Sequence, residues 1–141
     1  MDFDDFIKNG IIRTSFKDTA LAKSLLQNIK KDIKFLDSLK INENSARRLM
    51  VNYYDILRGV LESISAIDGY KIYSHEAFVY FLKKKGEELF SIKFDRFRKI
   101  RNSINYYGDD ISIEETKENI EKMKEMINIL VKKYLGGLEW K

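Results

Sequence analysis

The chain has 141 residues, 44% hydrophobic and 34% charged, with a formal net charge of +4; it is long enough to enclose one core and too apolar to stay disordered. It has no cysteine and a single histidine, which excludes disulfides, thiolate chemistry and any multi-histidine metal cluster. It has no proline, and its seven glycines fall almost entirely between periodic segments, as long helices joined by short turns require.

Residues 2–9, DFDDFIKN, read as a short helix with Phe3, Phe6 and Ile7 on one face, ended by Gly10. Asp2, Asp4 and Asp5 stand where a signal peptide would be positively charged, and no window approaches the ~18 apolar residues of a membrane span, so a cytoplasmic protein without a membrane partner is expected. From about Asp18 to Leu39, the residues Ala22, Leu25, Leu26, Ile29, Ile33 and Leu36 recur at three- and four-residue steps, on one side of a helix.

Asn42 or Asn44 can cap the next helix, whose stripe is Ala46, Leu49, Met50, Tyr53, Leu57, Val60 and Ile64. Gly59 lies inside that stripe and reads as a close helix crossing. GYKIYS is a connector, after which Ser74 can cap a shorter helix ending at Gly86. The next helix is expected from about Ile92 to Tyr107, and the last opens with Ser112 and Glu115 in capping-box spacing and stops at Gly136 and Gly137. No strand pattern competes. The expectation is an all-α fold: a single domain over residues 1–141, built as an antiparallel bundle of four or five helices.

Charge is unevenly placed. Between Lys83 and Arg101 eight Lys/Arg stand against three acids, and between Asp109 and Glu125 seven acids stand against three lysines. The basic zone runs into the segment from Arg98 to Gly108, RKIRNSINYYG. At ~100° per residue Phe94, Phe97, Ile100, Ile104 and Tyr107 share one arc, with Arg98, Arg101, Asn102 and Asn105 along its edge. Guanidiniums bind phosphate bidentately, asparagine offers donor and acceptor, and Tyr106 and Tyr107 carry rings on which bases can stack. On chemistry alone two readings stay open: recognition of an RNA or nucleotide phosphate, or pairing of the arginines with the acidic start of the last helix.

With RNSINY the chain resembles the HEPN domains, small prokaryotic helical bundles. Their signature is an arginine, a polar neighbour that is usually asparagine, a few further residues and a histidine near a helix end. Arg101 and Asn102 match the first two, and Tyr106 stands at the position of the histidine. NGIIRTSFKDTALAKSLLQNIKKDIKFL is similar to the family's first helical region, and GYKIYSHEAFVYFL to its connector before the third helix.

The resemblance implies a HEPN-like homodimer in which two motif strips face each other across one cleft. It also implies metal-independent RNase chemistry with no cofactor, and a small nucleotidyltransferase antitoxin as partner. In that scheme Arg101 stabilises the phosphorane, Tyr106 occupies the proton-transfer position, and Arg98, Asn102, Asn105 and Tyr107 bind the RNA or nucleotide. Tyrosine, with a pKa near ~10, is a poor base at neutral pH, so binding without cleavage is one outcome. A non-catalytic dimerisation and protein-interaction module is the alternative. Some members carry AMP on a tyrosine two residues past the histidine; that position here is Gly108. Tyr107 is expected in the core arc and Tyr106 at the dimer surface. His75, just after a cap residue and far along the chain from the motif, reads as an ordinary first-turn histidine.

Overall fold

In chain order, the computed structural model describes residues 1–138 as α1 (Phe3–Lys8), β1 (Ile12–Thr14), α2 (Thr19–Asp37), α3 (Ala46–Asp68), β2 (Tyr70–Ile72), α4 (His75–Lys84), α5 (Glu88–Tyr107) and α6 (Ile113–Tyr134). The fold is an all-α bundle. Residues 139–141 of the expected domain lie outside the described residues. Six helices are present among the described residues, one for each helical segment read from the sequence, so the expected bundle of four or five is exceeded by one or two; α1, only six residues long, buries Phe3 and Phe6 in the common core.

Short polar side chains take up the first free amides of most helices. Asp2 and Asp5 cap each other's backbone amides at α1, Asp18 accepts from the Leu21 amide at α2, Ser74 from Ala77 at α4 and Ser112 from Glu115 at α6. Ahead of α3 the expected cap is displaced. Asn42 Oδ1 accepts from the amides of Asn44 and Ser45, shaping the preceding turn, and the residue at the cap position, Ser45, bonds no amide of the helix.

The central element is α3, which touches α2, α6, α5, α4 and β2 and buries Leu49, Met50, Tyr54, Leu57, Leu61 and Ile64 almost completely. At Gly59 a Cβ would stand 3.4 Å from Ile29 Cδ1, so α2 approaches α3 closely at this point, the crossing that the glycine predicts. Tyr53 and Lys124 both bind Asp37, joining α3, α2 and α6 at one end of the bundle.

The segment read as a connector, GYKIYS, pairs as a strand with residues just after Gly10 instead. Ile12 faces Ile72, Arg13 faces Lys71 and Thr14 faces Tyr70 in an antiparallel ribbon, with Ile12 fully buried. The expectation of no strand is therefore corrected. Each strand is three residues long, too short to display alternation, and its partner lies on the far side of two helices.

The helix α5 begins at Glu88, a turn before the expected Ile92. Leu89 and Ile92 are exposed and contribute nothing to an apolar stripe, whereas Ser91 is buried and bonds back to the Glu88 carbonyl at 2.6 Å. At the other end Gly108 takes φ 67°, the left-handed conformation that stops the helix.

Candidate functional site

The last turns of α5 carry the motif past the end of the core. Ile104 is buried, but Tyr107 is 80% exposed and Tyr106 70% exposed. The expected place of Tyr107 in the core arc is thus corrected: the apolar face it would extend has nothing left to cover. Asn105 is exposed beside them, and Asn102 is half-buried.

The two arginines of the strip have different surroundings. Arg98 donates from Nε and Nη2 to Asp95 Oδ1 at 3.0 and 2.7 Å, within its own helix, and Lys99 shares that carboxylate at 3.2 Å. Arg101 forms no ion pair with any carboxylate among the described residues. Its Nη1 reaches Asn102 Oδ1 at a long 3.3 Å, and its Nε is buried without a hydrogen-bond partner. Neither arginine pairs with the acidic start of α6. The contact to that helix comes from Arg96, whose Nη2 donates to Asn119 Oδ1 at 3.0 Å.

Beneath the motif lies an aromatic stack. The Arg101 guanidinium carbon is 5.8 Å from the ring centre of Tyr54 and 5.8 Å from that of Tyr106, cation–π distances for both. Tyr54 is wholly buried, stacks on Phe94 at 5.4 Å and on the imidazole of His75 at 5.7 Å, and its hydroxyl lies 3.0 Å from His75 Nδ1. The single histidine of the chain therefore shares an aromatic plate with Arg101, although twenty-six residues separate them in the sequence. It does occupy the first turn of α4, as its sequence position indicates. What that position could not convey is its company.

The electrostatics follow from this crowding. Burial, reinforced by the positive charges of Arg58, Arg101 and Arg98, pushes His75 down to about 4, so its ring is neutral at pH ~7. Burial raises the Tyr54 phenol, against the pull of Arg101, Arg58 and Arg98. Burial also raises Asp55, with Arg58, Arg101 and Arg48 opposing it. Three guanidiniums, two from α5 and one from α3, thus bear on one histidine.

Sequence reasoning identified Arg98 and Arg101 but missed Tyr54, Asp55 and Arg58. The available signal was the spacing of Tyr54 and Arg58, one helical turn apart on α3. Arg58, paired with Glu62, also lines a groove of about 420 Å³ between α2 and α3, together with Asp55, Asn28, Asn52 and Phe35.

Chemically, Arg101 keeps its capacity to bind an oxyanion bidentately, with Asn102 and the ring of Tyr106 beside it. Compared with protein-family models, curated proteins and solved structures, the chain matches none. No helix among the described residues is long and apolar enough to cross a membrane.

Proposed function

We propose that the chain is a HEPN-like RNA- or nucleotide-binding protein, with Arg101 as its phosphate-binding group. In this reading it works in the cytoplasm as a homodimer, as the RNase-toxin-like partner of a small nucleotidyltransferase antitoxin. The observation that carries the reading is the contrast between the two arginines: Arg98 is held by Asp95, whereas Arg101 has no carboxylate partner among the described residues and has Asn102 and Tyr106 at its side. A guanidinium placed so is suited to a phosphate. The position of the motif at the end of the penultimate helix of an all-α bundle supports the same reading.

The test is RNA binding and cleavage by the purified chain and by Arg101→Ala. Loss of binding in the variant is expected, together with loss of any cleavage the parent shows. Binding or cleavage that survives the substitution overturns the assignment of Arg101.

A second reading, a non-catalytic dimerisation and protein-interaction module, is favoured by the exposed apolar side chains along α5. Leu89, Ile92, Tyr106 and Tyr107 are 62%, 60%, 70% and 80% exposed, and side chains of this kind gathered on one element mark interaction surfaces. A dimer that binds no RNA and no nucleotide would decide for this reading.

A further inference from the structure

We infer that His75 is the proton-exchanging residue of the Arg101 site: an anion held by Arg101 draws a proton from solvent onto its imidazole, while Tyr54 fixes the ring. The inference rests on the reading of Arg101 as an anion-binding residue. It gives the proton-handling role to a side chain outside the motif, on a different helix from Tyr106.

The geometry supplies a held ring with one open nitrogen. Nδ1 is engaged by the Tyr54 hydroxyl at 3.0 Å, and the ring is stacked on Tyr54 at 5.7 Å. Nε2 has no hydrogen bond among the described residues and is not sealed from solvent. Tyr54 of α3 contacts the ring, and the charges that bear on it are Arg58 of α3, paired with Glu62, and Arg98 and Arg101 of α5, of which Arg98 is paired with Asp95; Asp55 opposes Arg58 and Arg101, and Glu76 is next along α4.

Three guanidiniums oppose a positive charge on the imidazole, and of these only Arg101 is without a carboxylate of its own among the described residues. An oxyanion bound at Arg101 offsets that guanidinium's share of the repulsion, and the neutral ring then takes one proton from water. In the resulting imidazolium Nδ1–H donates to the Tyr54 oxygen and Nε2–H is left to exchange with solvent. When the anion departs, the proton returns to solvent.

His75 is the chain's one histidine, so its imidazole protons give a single NMR titration. Sulfate serves as the probe because it does not titrate above about pH 4. In saturating sulfate the His75 midpoint is expected to rise by about one unit or more, and sulfate affinity by calorimetry to strengthen by up to about tenfold per unit as pH falls across the interval between the free and bound midpoints. Arg101→Gln should remove both effects. Sulfate that binds in an Arg101-dependent way while the His75 midpoint stays fixed overturns this inference and leaves the reading of Arg101 standing. Sulfate that does not bind overturns both.

Discussion

The Tyr54 hydroxyl lies 3.0 Å from Nδ1 of His75, so a wholly buried side chain of α3 orients the residue that opens α4. The same ring is 5.8 Å from the Arg101 guanidinium. One tyrosine thereby ties the packing of three helices to the surroundings of the motif arginine. This makes Tyr54 the natural place to perturb the site without touching its surface.

Tyr54→Phe keeps both ring stacks and removes only the hydroxyl. A typical buried hydrogen bond contributes about 1 kcal/mol net, so the variant is expected to unfold at lower denaturant with a stability loss of about that size. The His75 imidazole resonances should move at the same time. Unchanged imidazole shifts would show that the hydroxyl does not hold the ring.

His75 predicts a pH dependence whose sign can be worked out. Its folded value is depressed to about 4, against ~6.5 in the unfolded chain. As pH falls, the unfolded state takes up the proton first. The contribution of the neutral ring is therefore complete above pH ~6.5 and is lost progressively down to about pH 4. Between pH ~7 and ~5, His75→Gln should lose less stability than the parent chain in urea unfolding. Parallel profiles would mean that the ring is not depressed.

Tyr106 offers an exposed ring beside Arg101. If single-stranded RNA is bound there, base stacking is worth about 1–3 kcal/mol per base. Tyr106→Ala is then expected to weaken RNA affinity about tenfold, while Tyr106→Phe, which keeps the ring, should bind nearly as the parent does. Equal weakening in both variants, measured by fluorescence anisotropy, would assign the effect to the hydroxyl instead.

The helices were legible because their information is local. The stripe through Leu49, Met50, Leu57, Val60 and Ile64 is buried as its period requires, and Asp18, Ser74 and Ser112 cap their helices through their own amides. The places that reading missed are those where a tertiary neighbour decides. Tyr107 has the right angle for the core arc, yet it stands beyond the point where the core ends. Arg98 is the exception, since Asp95, three residues back on the same helix, takes it by a spacing the sequence does display. His75 carries no sign of Arg101 in its local sequence, because Tyr54 brings them together from a third helix.

The ribbon has a further consequence for how the chain reaches this structure. Its two strands continue from the start of α2 and the end of α3, which lie side by side, so pairing before that hairpin forms must bear the entropy of closing a long loop, and the ribbon is expected to form after it. The ribbon is expected to act as a clasp that closes late. In a pulse-labelled refolding experiment the amides of α2 and α3 should gain protection from exchange before those of Arg13, Ser15, Lys71 and Tyr73, which bond across the ribbon.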